Sequence, residues 1–301
     1  MQAPRNSEPG PLMKLPAFDY IKPPTLAEAV QLLNAHPEEA KVIAGGQSLL
    51  PLLAYRLTAP RLLIDLGAIP DLNHIDISGQ GVRLGALVRW RDILDDDRLR
   101  TSHPLLYRAV EHIAHYQIRN RGTVGGSLAH ADPSAELPGI AMCCDGVIHV
   151  SGDKGERDIK AADFFMGPLT TSLTAGELIT GLQLPHWPEN RRWGFEEFAR
   201  RRGDFAIAGV CAGVDMDNNS AVTSARIAVI GMGSTPQRIV VAEQLLCGRT
   251  LDTASITTAA TAAAETVTPS ADIHGSAEYR RALVSTLLER VLQRCILPAG
   301  T

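Results

Sequence analysis

Two glycine turns, almost eighty residues apart, constrain this chain more than any other feature. The first is the stretch Lys41-Val42-Ile43-Ala44-Gly45-Gly46-Gln47-Ser48-Leu49-Leu50. A β-branched run enters a glycine pair and leaves as an apolar segment, the pattern of strand, tight turn and helix. The second is Arg121-Gly122-Thr123-Val124-Gly125-Gly126-Ser127, followed by Leu128-Ala129-His130-Ala131-Asp132-Pro133-Ser134-Ala135-Glu136. Paired glycines let backbone amides approach a phosphate without side chains in the way, and a following helix start adds a favourable dipole. A pyrophosphate has two phosphates, so two such loops suit it. Neither loop is the G-x-G-x-x-G dinucleotide fingerprint, and neither carries the lysine of a P-loop. Taken singly, a glycine pair is more often just a tight turn.

The rest of the chain supplies alternating elements. Phe18 to Ile21 reads as a short strand, and Thr25-Leu26-Ala27-Glu28 is a capping box ahead of a helix that Pro37 ends. Ser48 is the expected N-cap of the helix after the first glycine pair, with Pro51 in its first turn. Strands are expected at Leu62 to Leu66, Gly81 to Leu87, Gly146 to Val150 and Glu177 to Leu184, with a helix over Leu105 to Tyr116. Pro185-His186-Trp187-Pro188 marks a domain boundary. Beyond it the rhythm changes. Three strands (Phe195 to Ala199, Ala206 to Met216, Val222 to Gly231) precede three helices (Val240 to Leu246, Thr253 to Val267, Ala277 to Cys295). Strands first and helices after predict an α+β layer.

Composition excludes several classes. The net charge of −4 and pI near 6.1 lack the basic excess of a nucleic-acid binder. No apolar run reaches the roughly 20 residues of a membrane helix, and Met1 to Pro11 has no signal-peptide core, so a cytoplasmic location is expected. Five scattered cysteines, none spaced C-x-x-C, do not form a disulfide framework or a cluster site. No H-x-x-x-H pattern marks a metal site. His112 and His115 share a face of the expected helix only as a weak candidate pair. Asp132 and Glu136 are able to accept hydrogen bonds from ribose or ribityl hydroxyls, or to cap the helix around Pro133. Arg119 and Arg121 are read as phosphate partners, a solvated face or a subunit contact, and the run Arg200-Arg201-Arg202 as solvated surface or an interface.

The segments KVIAGGQSLLPLLAYRL and QIRNRGTVGGSLAHADPSAELP resemble the paired FAD motifs of the medium subunit of molybdenum hydroxylases, the xanthine dehydrogenase and carbon monoxide dehydrogenase flavoprotein family. The resemblance runs from Phe18 to about Leu297. FDYIKPPTLAEAVQLL is similar to the family's opening and GDFAIAGV to the start of its C-terminal domain. The resemblance implies an α+β fold. A flexible arm at 1–15 precedes a PCMH-type FAD-binding domain at 16–187, divided into subdomains at about 16–67 and 68–187. A smaller α+β domain, a three-stranded sheet plus helices, follows at 188–298. It further implies FAD contacts from Ile43, Ala44, Gly45, Gly46, Gln47, Ser48 and Leu49, and from Thr123, Val124, Gly125, Gly126 and Ser127. His130, Asp132, Glu136 and Ile179 complete the expected set, with Glu136 on the ribityl chain and Ile179 near the flavin ring.

No catalytic residue and no metal are assigned to this chain by the resemblance. The implied partners are a large molybdopterin-binding subunit, a small subunit with two 2Fe–2S clusters and an external electron acceptor, in a dimer of heterotrimers. The alternative is a stand-alone FAD-dependent oxidoreductase of the same flavin fold. One departure stands out. Relatives often carry a lysine just before the arginine run, where this chain has Glu196-Glu197. A cation beside the flavin stabilises its reduced anion and a carboxylate does not.

Overall fold

A computed structural model describes residues 15–296. Of the arm expected at 1–15, all but Leu15 lies outside the described residues, as do the last two residues of the span expected at 188–298. The first layer contains strand β1 (Asp19–Ile21), helix α1 (Leu26–Ala35), β2 (Ala40–Ile43), α2 (Leu49–Ala54) and β3 (Leu62–Asp65). The three strands pair in parallel in the order β1-β3-β2, with Tyr20 beside Leu63 and Val42 beside Ile64. Parallel neighbours need a crossover, which α2 supplies between β2 and β3. The Thr25 hydroxyl caps α1 by accepting from the Glu28 amide. Ala29, Val30, Leu62 and Ile64 form a core of their own.

The second layer opens with β4 (Ile75–Ser78), β5 (Gly81–Gly85), α3 (Trp90–Asp95), α4 (Arg98–Ser102), α5 (Pro104–Val110), α6 (Tyr116–Arg119), α7 (Val124–His130) and α8 (Glu136–Cys143). It continues through β6 (Val147–Gly152), β7 (Gly155–Lys160), α9 (Ala161–Phe164), β8 (Phe165–Gly167), β9 (Thr170–Thr171) and β10 (Leu178–Pro185). Five strands make an antiparallel sheet ordered β4-β5-β10-β6-β7. Central β10 is buried along most of its length, and Leu182 pairs with both Leu84 and Ile148. A bulge between Ile179 and Gly181 breaks its register with β6, re-aiming the strand locally.

The third layer is β11 (Arg192–Phe198), β12 (Ala208–Met216), β13 (Val222–Ile230), β14 (Gln237–Arg238), α10 (Val240–Leu246), α11 (Thr253–Thr266) and α12 (Ala277–Arg294). The antiparallel sheet expected to have three strands carries two-residue β14 as a fourth. Its two faces bury different partners because side chains alternate across a strand. Val210, Ala212 and Val214 pack on the helices with Ile256, Leu288 and Val291. Cys211, Phe195 and Ala228 point the other way and join the core of the second layer. Gly139 of α8 lies so close to β13 that a Cβ would come 2.6 Å from Ile230 Cγ2. The third layer is therefore packed onto the second through α8. No helix among the described residues is long and apolar enough to cross a membrane.

Candidate cofactor site

A cavity of about 470 Å³ opens where the three layers meet. That size lies in the range of small-molecule and cofactor pockets. Fourteen of the sixteen residues expected to contact FAD line it, among them the whole run Ile43–Leu49, Thr123, Gly125–Ser127, His130, Glu136 and Ile179. Two do not. Val124 is fully buried in the core of the second layer, because the first residue of α7 points inward when the glycines beside it face the cavity. Asp132 turns back on its own loop and accepts from the Ser134 amide at 2.8 Å.

The two glycine loops behave differently. In the second, the amides of residues 124–127 are already used. Val124 donates to Val88 O, Gly125 to Ala86 O and Ser127 to Thr123 O, and Gly126 donates to the Thr123 hydroxyl that caps α7. The free-amide cradle expected from the sequence is absent there. What that loop offers is bare Cα surface and two hydroxyls. In the first loop, among the described residues, the amides of Gly45, Gly46, Gln47, Ser48 and Leu49 have no acceptor in the protein. Gly46 takes φ +71°, which favours glycine. Ser48 does not cap α2 as expected; its backbone is already helical and its side chain makes no cap bond. These half-buried donors line the cavity without acceptors, and such a row of successive amides suits a bound anion. The residues present therefore fit a dinucleotide such as FAD.

The cavity wall is otherwise apolar, with Trp90, Ile113, Ile118, Leu173 and Leu178 beside Ile179. None of these five stood out in the sequence. Nor did Gly203, Asp204 and Phe205, which reach the cavity from the third layer across the loop between β11 and β12. Phe205 is 60% exposed, an apolar ring held at the rim. The signal available for these three was their place in GDFAIAGV. Arg119 faces away and donates to the carbonyls of Ile113 and Ala114. His112 and His115 do not act together. His112 lies 3.4 Å from Glu197, while His115 packs against Gly203. No cluster of metal-ligating side chains occurs among the described residues.

Glu136 is strongly changed by the fold. It opens α8, is only 6% exposed and has no hydrogen-bond partner beyond its own backbone among the described residues. Burial, reinforced by the nearby Glu197 charge, pushes its pKa up to about 8. Glu196 and Glu197, expected near the flavin, do not line the cavity. Glu196 pairs with Arg290 at 3.0 Å and Arg294 at 2.6 Å on α12.

Comparison with known proteins decides the family. The model of the FAD binding domain in molybdopterin dehydrogenase matches residues 16–187, and that of the CO dehydrogenase flavoprotein C-terminal domain matches residues 193–295. The chain belongs to the FAD-binding medium-subunit family of the molybdenum hydroxylases. It is 43% identical to the nicotine 6-hydroxylase medium subunit of Paenarthrobacter nicotinovorans over 93% of this chain and 98% of that one. It is 40% identical to subunit alpha of the 6-hydroxypseudooxynicotine dehydrogenase complex from the same organism, over 94% of this chain and 96% of that protein. Among solved structures, quinoline 2-oxidoreductase from Pseudomonas putida 86 superposes with a TM-score of 0.89 at 37% identity, covering 94% of this chain and 98% of its own. Carbon monoxide dehydrogenase from Hydrogenophaga pseudoflava gives 0.91 at 32% identity, covering 94% and 98%. The chain is thus an oxidoreductase subunit of the flavoprotein type, with FAD as its cofactor.

Proposed function

We propose that this chain takes electrons from 2Fe–2S clusters on a small partner subunit and delivers them to an external acceptor. In this reading a large molybdopterin subunit oxidises the substrate, and the three chains assemble as a dimer of heterotrimers in the cytoplasm. The observation that carries it is the row of unsatisfied amides from Gly45 to Leu49 lining the cavity. A pyrophosphate accepts from such a row, and Thr123 and Ser127 offer hydroxyls from the other loop. The apolar wall of Trp90, Ile113, Ile118 and Ile179 suits a flat aromatic ring. FAD, when bound, supplies the electron-carrying chemistry; the protein binds it, orients it and keeps water from it. Neither His130 nor Glu136 is needed to activate a substrate in this division of labour. The names of the relatives, medium subunit and complex subunit, support a heteromeric assembly.

The test is an absorption spectrum of the protein purified with its co-expressed partners, followed by denaturation and identification of the released flavin. Flavin bands with FAD in the supernatant, and iron–sulfur absorption on a separable smaller chain that bleaches and recovers with the flavin, are expected. A complete assembly without flavin would refute the reading. Substrate oxidation by the isolated chain would favour a stand-alone oxidoreductase instead.

A further inference from the structure

Glu136 and Glu197 come from different layers that close on Ile230: a Cβ on Gly139, one turn along α8 from Glu136, would come 2.6 Å from Ile230, and one on Gly209, the cross-strand partner of Glu197, 2.7 Å from it. Glu136 stands at the first position of α8 and lines the cavity. Glu197, on β11, exposes 6% of its side chain. One of its oxygens lies 3.4 Å from His112 Nδ1, and the other is buried without a partner. The remaining charged groups around α8 do not relieve the crowding. Asp132, in the loop before α8, adds a third carboxylate. His130 of α7 lines the same cavity. Arg226 of β13 and Arg238 of β14 are committed to Asp145 at the opposite end of α8.

Two carboxylates buried close together cannot both ionise cheaply; one retains a proton. Glu136 is the one left with no partner at all beyond its own backbone, and a protonated carboxyl donates a hydrogen bond where a carboxylate only accepts. We propose that Glu136 serves the cofactor as a neutral carboxylic acid donating into the cavity, and that Glu197, backed by His112, is the positioning residue that holds this proton. The proposal rests on the reading that the cavity takes FAD. It reverses the role that the sequence suggested, in which Glu136 accepts from ribityl hydroxyls. The ligand atom it selects is an acceptor oxygen or nitrogen of the bound FAD.

The proton is read first without flavin, by carbon NMR of the glutamate carboxyl groups in the full ligand-free chain, with E136Q used to assign the resonance. A midpoint near 8 is expected. A midpoint at or below the ordinary value of 4.5 overturns the proposal whether or not flavin binds. Flavin binding is then followed by fluorescence quenching with FAD as the probe. Saturation at about pH 6 tests the cavity reading on its own, and failure to bind removes both claims. With binding established, affinity is expected to be flat at low pH and to fall about tenfold per pH unit above the midpoint. E197Q should move that midpoint down, and E136Q, a donor at every pH, should abolish the dependence. Affinity that is flat or improves as pH rises through the midpoint means that Glu136 accepts, and the proposal is wrong.

Discussion

Gly45 faces the backbone carbonyl of Arg121 so closely that a Cβ there would fall 2.0 Å from the oxygen. This contact joins the two glycine loops, which are far apart in the chain, and sets the width of the cavity between them. Backbone atoms cannot swing aside as a side-chain end can. Gly45→Ala should therefore push the loops apart, costing about 1–3 kcal/mol of stability and weakening FAD binding by about tenfold or more, the equivalent of 1.4 kcal/mol. Urea unfolding and flavin titration of the purified variant check this. Wild-type values in both would show that the loops do not clamp each other.

Gly126 presents the contrasting case. Its Cβ would meet only the Thr123 hydroxyl, at 2.8 Å. That hydroxyl caps α7 through the Gly126 amide. Gly126→Val should lose the cap, worth about 1 kcal/mol, yet leave the fold intact while the branched side chain enters the cofactor space. The expected protein is folded and poor in flavin, seen as a normal circular dichroism spectrum with a low ratio of flavin to protein absorbance. Full flavin occupancy would remove this loop from the pyrophosphate site.

Part of the strand and helix pattern was legible because burial imposes it: β6 alternates over 147–150, and α12 keeps its apolar stripe through Leu287 and Val291. What escaped was set by tertiary partners. Apolar spacing runs on past Val110, but α5 ends there. The chain turns through Ala114 at φ +43°, with Arg119 tying down the carbonyls of Ile113 and Ala114. That turn is what brings Ile113 to the cavity. Likewise Ser48 has the residue type of a cap, but its helical backbone leaves the hydroxyl free. Strand β14 is only two residues long and has no periodicity to detect. The second loop matched an amide cradle by composition, yet Val88 and Ala86 of the neighbouring segment consume its donors. No spacing rule reports such a partner.

Glu243 shows how the third layer is fastened. One of its oxygens accepts from the Ile227 amide at 2.7 Å and from Arg238, which also reaches Asp145 at 2.6 Å. Glu243 is buried, so its removal leaves the Arg238 guanidinium with Asp145 as its one ion-pair partner among the described residues, and orphans the Ile227 amide. Glu243→Ala should cost about 3 kcal/mol, near the low end for breaking a buried pair because Asp145 remains. Glu243→Gln, which still accepts from Ile227, should cost less. The shift in urea midpoint at constant slope measures both, and a loss below about 1 kcal/mol for the alanine variant would show that Asp145 alone neutralises Arg238.

His103 links stability to pH. It is wholly buried, accepts from the Leu106 amide at 3.2 Å to cap α5, and its ring lies 4.7 Å from that of Trp187. Burial, aided by the charge of Arg191, lowers its pKa from 6.5 to about 3. The unfolded chain therefore takes up a proton near 6.5 that the folded chain refuses. Its stabilising contribution is fully present above 6.5 and is lost progressively as pH falls towards 3. Between about pH 6.5 and 5 the loss from this residue alone is about 2 kcal/mol. Other carboxylates titrate lower in the range, so the comparison is with His103→Asn, which keeps a capping acceptor but takes up no proton. The asparagine variant should be less stable at neutral pH, because it fills less of the core beside Trp187, and should lose less stability on acidification. Parallel stability–pH curves for the two proteins would mean that His103 is protonated in the folded state, with its ring turned away from the Leu106 amide.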